Sequence, residues 1–403
     1  MIKYPKQIIY PINFLKPSLY FSKKNFLNNF LKRFKKINRN NSLNQKILGR
    51  ARSGFYIAIK CLIKNERNVF LISPFTIHEV IDLIILAGGK PLFIDFQKET
   101  TNLDLEKIKK NINKNVCGLV ITHYSIVDKN INMIFQLSKE KKIAIIEDCA
   151  LSYSSAYNIS KKNRSDFQIY SFSSFKTINY FYGGLISYQK KYEEKVSNIT
   201  KNWKKLSFLN YLRQIIRTLI FALLTNNLIY NFLTIHILRK KNTIKNFLEK
   251  KIDIKTTEIN SSYFSVPSNA AVNELNFKIS NYNKIVIHRR KISLNYYSFL
   301  KNISIPKQIT TKDIIQSDCF NYLILCKSEN HKNFLNNILI ENNFDTGLHF
   351  YYNCKNFKKF ANIYGKTSNL DNLIKRLLIL PTHPRISIKY STTLSQAILK
   401  YYG

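Results

Sequence analysis

Two rhythms of apolar positions alternate along the first half of the chain. Residues 53–63 place apolar side chains at helical spacing behind an opening Ser53-Gly54, which predicts a helix. Val69-Phe70-Leu71-Ile72 then predicts a strand, stopped by Ser73-Pro74, and residues 79–87 predict a second helix. Gly88-Gly89 turns the chain into another strand, Pro91-Leu92-Phe93-Ile94-Asp95. A helix over 103–112, a strand over 117–122 and a helix over 131–141 follow. Ile143-Ala144-Ile145-Ile146 is a strand-like run that ends on Glu147-Asp148. A further β-rich run leads through Tyr170-Ser171-Phe172-Ser173-Ser174-Phe175 to Lys176, and the chain returns through Gly183-Gly184 to Leu185-Ile186. Strands separated by helices of this length predict an α/β fold. Its large domain, residues 48–199, has a mostly parallel sheet sandwiched by helices.

The pattern changes on both sides of that domain. Residues 1–47 form an aromatic and basic leader with Pro5, Pro11 and Pro17, which reads as an N-terminal arm draped over another surface. Residues 200–250 read as a hydrophobic and basic helical insertion. Its 218–238 window carries no formal charge and is about long enough to span a bilayer. Asn226, Asn227, Asn231 and His236 interrupt it and basic residues flank it, which favours one or two amphipathic helices, packed on the protein or lying in a membrane interface. Residues 251–403 mix a helical stretch, 269–300, with strands such as 320–325, and predict a smaller α+β C-terminal domain.

Composition narrows the partners. A chain of 403 residues with 45% hydrophobic and 13% aromatic content can bury a large core. The net charge of +40 suggests nucleic acid, but Lys, Asn and Ile are over-used together and the charge is scattered. No helix-turn-helix, zinc or single-strand-binding signature accompanies it, so no specific nucleic-acid partner is expected. Attraction to phosphates or to an acidic membrane surface is the physical consequence that remains. Cys61, Cys117, Cys149, Cys319, Cys326 and Cys354 are widely separated, which argues against a disulfide framework and against a metal site. The first residues lack a continuous apolar core and a small-residue cleavage site. A cytoplasmic protein is expected, with peripheral membrane association through the insertion as a hypothesis.

In open α/β sheets ligands sit at the carboxyl ends of strands, where Asp148 would lie. A lysine and a carboxylate at the ends of neighbouring buried strands suit an aldehyde cofactor with a basic ring. Pyridoxal 5'-phosphate is such a cofactor: Lys176 would form the Schiff base and Asp148 would keep the ring nitrogen protonated. The bland readings are a solvated loop lysine and a helix-capping aspartate.

These residues carry a resemblance. The blocks are Arg52-Ser53-Gly54; Ile72-Ser73-Pro74-Phe75-Thr76; Gly88-Gly89-Lys90-Pro91-Leu92-Phe93-Ile94-Asp95; Thr101-Asn102-Leu103-Asp104; Ile145-Ile146-Glu147-Asp148-Cys149-Ala150; Ser165-Asp166; Ser171-Phe172 to Lys176; Gly183-Gly184; and Leu380-Pro381-Thr382-His383-Pro384. In order and spacing they resemble the DegT/DnrJ/StrS family of pyridoxal-phosphate-dependent sugar aminotransferases, from about residue 48 to 400 apart from the insertion. The resemblance implies the type I aminotransferase fold and a homodimer. It also implies Lys176 and Asp148 as catalytic and cofactor-binding residues, and Ser171, Ser53 and Gly54 beside the cofactor phosphate. Asn269 would reach across to the partner's phosphate. Two positions depart from the pattern: Phe55 stands where threonine is frequent, and Leu151 where the family usually has Gln or His. The first removes a phosphate hydrogen bond and the second a polar neighbour of the ring. His123 is read as a buried histidine satisfied by backbone, and His349 and His383 as substrate neighbours. The implied activity transfers an amino group, with glutamate as donor, to a nucleotide-linked keto sugar in glycan or polysaccharide biosynthesis. The alternative reading, motivated by Phe55 and Leu151, is a non-catalytic or divergent member acting as a binding or regulatory subunit. A dehydratase of the same family is disfavoured, because that variant usually carries histidine in place of the lysine.

Overall fold

Short runs of β-branched and aromatic residues, most of them followed by a helix, build the large lobe around one sheet. The computed structural model describes residues 26–38, 42–126, 128–153, 165–173, 176–180, 183–224, 229, 263–303, 309–342, 344 and 352–402. In chain order the lobe comprises α1 (Leu27–Asn38), β1 (Asn44–Leu48), α2 (Ser53–Leu62), β2 (Val69–Ile72), α3 (His78–Leu86), β3 (Lys90–Phe93), α4 (Leu105–Asn111) and β4 (Val116–Thr122). It continues through α5 (Ile131–Glu140), β5 (Ala144–Asp148), β6 (Phe167–Ser171), β7 (Gly184–Tyr188) and α6 (Glu193–Thr200). The seven strands lie in the order β1-β7-β6-β5-β4-β2-β3. All pairings from β3 across to β6 are parallel, whereas β7 runs antiparallel to both β6 and β1. β5 and β6 are buried along nearly their whole length, as a sheet covered on both faces requires.

The leader differs from its reading as an arm on another surface. Residues 44–48 form the edge strand β1, in register with β7 from Asn44↔Tyr188 to Leu48↔Gly184. Gly184 permits this closure: a Cβ there would lie 2.3 Å from the Ala51 Cα as the chain leaves β1. Helix α1 packs on this chain's own core. Phe30 and Phe34, one turn apart, are fully buried, and Phe34 meets Tyr170 edge-on at 4.8 Å.

Beyond α6 come β8 (Lys204–Lys205), α7 (Phe208–Leu224) and β9 (Ser265–Val266). α8 (Asn269–Ile279) returns to the large lobe, where Ala271, Val272 and Leu275 share a core with Phe30, Phe34 and Tyr170. The chain then continues through α9 (Tyr282–Leu300), α10 (Thr311–Gln316), β10 (Asn321–Leu325), α11 (Glu329–Glu341), α12 (Ser368–Arg376), β11 (Leu377–Pro381) and α13 (Ile388–Tyr402), which build the second lobe. β10 and β11 pair antiparallel, and a core that includes Tyr296, Ile324, Leu378 and Leu394 lies against them. None of the described helices is long and apolar enough to cross a membrane. All six cysteines are buried free thiols.

Candidate active site

β5 and β6 run side by side and deliver Asp148 and Ser171 to the carboxyl edge of the sheet. Asp148 is 7% exposed and its Oδ1 accepts the Ala150 N–H at 3.0 Å. Burial pushes this carboxyl up, against the Ala150 hydrogen bond and the nearby charges of Lys176 and His123. Past β6, the loop carrying Lys176 is closed by Phe172 N–H to Gly183 O at 3.0 Å and Tyr180 N–H to Phe172 O at 2.8 Å. Lys176 is half-buried as a residue, with its amine inside. Burial brings the amine down to about 8; the Asp148 charge opposes that and the Arg52 charge adds to it. A desolvated lysine coupled to a buried carboxylate can act as a nucleophile near neutral pH, and the carboxylate can face a basic ring nitrogen. The Ser171 hydroxyl has no hydrogen-bond partner among the described residues, so it is available to an anion.

The helix start is engaged more fully than expected. The Ser53 hydroxyl donates to the Tyr263 carbonyl. Gly54 N–H bonds Ala51 O at 2.8 Å and Phe55 N–H bonds Arg52 O at 3.0 Å, so both amides are taken by the turn itself. Gly54 instead serves a close approach, since a Cβ there would meet Ile169 of β6 at 3.1 Å. Phe55 is 3% exposed within the core cluster. Leu151 is buried in an apolar cluster with Tyr124, Leu323 and Leu325. Asn269 is half-buried at the first position of α8, behind a Ser268 cap.

His123 is buried as expected, but its partner is a carboxylate and not the backbone. Its Nε2 lies 2.7 Å from Glu147 Oε2, and Gln168 Nε2 donates to Glu147 Oε1 at 3.1 Å. Burial pushes the Glu147 carboxyl up, yet the His123 bond and charge outweigh it and hold the group below its ordinary value. Cys149 places its sulfur within 4.8 Å of this pair, and its thiol is pushed well up, by burial first and then by the Glu147 and Asp148 charges. His383 is buried after β11 and accepts the Arg385 N–H at 3.3 Å. His349 lies outside the described residues.

The second lobe contributes residues that sequence reasoning missed. Phe320 sets its ring 5.9 Å from Lys176 Nζ, and the Arg289 guanidinium lies 4.7 Å from the ring centroid. Arg289, 1% exposed, also donates to the Phe320 carbonyl at 2.5 Å, which Thr382 contacts at 2.8 Å. Asp318, fully buried, accepts the Tyr153 N–H at 2.6 Å and the Tyr282 hydroxyl at 2.9 Å. That bond ties the loop carrying Phe320 to the segment that follows Asp148. The only sequence signal was an aspartate just ahead of a predicted strand and the aromatic residue that opens that strand.

Comparison with known proteins agrees with this layout. A model of the DegT/DnrJ/EryC1/StrS aminotransferase family matches residues 49–203 and 269–398. An uncharacterized protein of Methanocaldococcus jannaschii is 24% identical over 136 residues, or 34% of this chain; the chain spans 35% of that relative's length. Among solved structures, the aminotransferase TlmJ of Streptoalloteichus hindustanus superposes with a TM-score of 0.67 at 13% identity, covering 92% of this chain and 89% of its own. Helicobacter pylori PseC, an aminotransferase involved in pseudoaminic acid biosynthesis, gives 0.66 at 12% identity over 99% of both chains. DesI, solved in the presence of its TDP-sugar product, gives 0.65 at 12% identity over 94% of this chain and 85% of its own. At these identities the superpositions establish the fold, which is that of the type I aminotransferases.

Proposed function

Because this chain belongs to the DegT/DnrJ/EryC1/StrS aminotransferase family, we propose that it is a pyridoxal-phosphate-dependent sugar aminotransferase. It would take an amino group from glutamate and pass it to a keto sugar carried on a nucleotide. The observation that carries the reading is the buried, electrostatically coupled pair of Lys176 and Asp148 at one edge of the sheet. When bound, the cofactor supplies an aldehyde and an electron-withdrawing ring that make the donor's α-proton removable. Lys176 would hold it and would receive and return that proton at Nζ. Asp148 would face the ring nitrogen and keep it protonated. Ser171 would bind the phosphate through its hydroxyl, with Arg52 as a nearby positive charge. Leu151 and Phe320 bound the site with apolar surface and exclude water. The structural likeness to DesI, which was solved with a TDP-sugar product, supports a nucleotide-sugar substrate. We further propose a homodimer, and contact between α7 and a membrane surface.

A second reading, a divergent member that binds without catalysing, is favoured by one observation: the Ser53 hydroxyl and the Gly54 and Phe55 amides are already hydrogen-bonded within the chain. The visible absorption spectrum of purified protein mixed with pyridoxal phosphate separates the two. An enzyme gives a long-wavelength band that vanishes in Lys176→Ala and changes when glutamate is added. A band that ignores glutamate and every other amino donor, or no band at all, supports the second reading.

A further inference from the structure

The amino-terminal edge of the sheet, opposite Asp148 and Lys176, holds a cavity of about 570 Å³. Its floor is the start of β4 and β5, at Cys117 and Ala144. Its walls come from the end of α2, the last turns of α5 and the segment after β7. Lys64, Arg67, Lys139, Lys142, Lys191 and Lys195 line it, against a single carboxylate, Asp166.

That carboxylate is already satisfied. Asp166 Oδ1 receives Lys191 Nζ at 2.9 Å and the Tyr192 hydroxyl at 2.8 Å, and its Oδ2 receives the Ile145 N–H at 3.1 Å. Arg67 is spent on the backbone, donating to Val116 O and to Lys142 O at 2.7 Å each, and Lys195 donates to Cys61 O at 3.0 Å. The ammonium groups of Lys64, Lys139 and Lys142 have no acceptor among the described residues. The turns that present two of them hold non-glycine residues in the left-handed region, Asn65 at φ 46° and Lys142 itself at φ 52°. The Arg67 bond to the Lys142 carbonyl braces the second turn. Such conformations persist only where the surroundings enforce them. Cations gathered around a concave, partly apolar surface focus a positive potential there.

We infer that this cavity is an anion-binding site, separate from the catalytic pair, for a small molecule carrying a diphosphate group. A single phosphate would leave most of the volume and most of the charge unanswered. A diphosphate spans several ammonium groups at once, and the cavity falls within the size range of small-ligand sites.

The test is calorimetric titration of the cofactor-loaded protein with inorganic pyrophosphate and, separately, with UDP, at fixed ionic strength. Saturable binding with a dissociation constant below about 1 mM is expected. Lys139→Gln and Lys142→Gln should each weaken it about tenfold, because each removes a charge-assisted hydrogen bond from an exposed side chain that folding does not need. Lys366→Gln, an exposed lysine of the second lobe, should leave it unchanged. Tighter binding of UDP than of pyrophosphate, weakened in Lys139→Gln and Lys142→Gln, identifies a nucleotide ligand here, and equal binding so weakened identifies the diphosphate group alone; binding of either probe that both variants leave intact belongs to another site and overturns the proposal. Absence of saturable binding, or an equal loss in Lys366→Gln, overturns the site in favour of diffuse attraction to a chain of charge +40. The outcome does not depend on whether the aminotransferase reading holds.

Discussion

Lys176 carries the most consequence for a single residue, and its environment makes a two-sided prediction. Its amine is expected to titrate near pH 8, so labelling by an amine-reactive reagent, followed by mass spectrometry across pH, should show its half-point there and not near 10.5. Asp148 raises this value and Arg52 lowers it. Asp148→Asn should therefore move the half-point down, and Arg52→Gln should move it up. The linkage to stability has the corresponding sign. The folded value lies below the unfolded one, so the unfolded chain binds more protons between about 8 and 10.5 and stability rises with pH through that window. At pH 7 the full cost is present, and Lys176→Met should raise the melting temperature of cofactor-free protein; a fall would contradict a desolvated amine. The nearness of Lys176 to Asp148 was legible because Asp148 ends a recognisable strand run and Lys176 follows another, with a glycine pair beyond it. Arg289, Asp318 and Phe320 were not legible. They lie more than a hundred residues away in sequence, and Arg289 sits in His288-Arg289-Arg290-Lys291, a charge run that reads as a solvated helix face. Only the packing of α9 against β10 and β11 turns Arg289 inward.

At the scale of elements, α7 is the segment whose surface is hardest to reconcile with water. Phe208, Leu209, Leu212, Ile216, Leu219, Ile220 and Leu223 are 41 to 65% exposed. From position 212 onward they recur at three- and four-residue spacing, the mark of one helix face. Arg213 and Arg217 are exposed on the same helix, and no carboxylate occurs between Glu194 and Glu249. An apolar stripe among cations, without acids, suits an anionic lipid surface, whereas a second copy of the same segment would set cation against cation. Purified protein should float with vesicles rich in phosphatidylserine and not with neutral ones. Ile216→Glu should reduce the bound fraction at least tenfold, and raised salt should weaken it; equal flotation with neutral vesicles would refute the charge argument. The sequence pattern placed a helical insertion at 200–250, and α7 lies within it. The helix begins ten residues before the charge-free 218–238 window and contains both arginines, because apolar spacing and not absence of charge sets where a helix starts. β1 was missed for a different reason: its five residues look like more of a polar leader, and only the distant β7 makes them a strand.

For the molecule as a whole, the question is what makes two lobes into one site, since Lys176 sits on the first and Phe320 on the second. The chain answers with buried carboxylates at the junction. Asp95, fully buried at the end of the β3 segment, accepts Asn369 N–H at 3.0 Å and Leu370 N–H at 2.9 Å from the first turn of α12, and Lys107 Nζ at 3.0 Å. The helix N-terminus leaves those amides without intrahelical partners, and the carboxylate answers them in a dry setting. Phe93 N–H reinforces the seam by donating to Tyr364 O at 2.8 Å. Asp318 makes the matching tie to the segment that follows Asp148. Asp95→Asn keeps the volume but turns an amide donor toward other donors, and should cost about 2–4 kcal/mol. Lys107→Gln removes an ammonium whose side chain is 35% exposed and already partly hydrated, and should cost less than about 1 kcal/mol. Denaturant unfolding of the two variants measures the contrast. If Lys107→Gln costs as much as Asp95→Asn, the ion pair and not the helix terminus holds the lobes together. With the Asp95 bonds to α12 lost, cleavage near Lys366 under limited proteolysis should quicken while the sheet domain stays intact, because the second lobe would then open away from β3 before the large core unfolds.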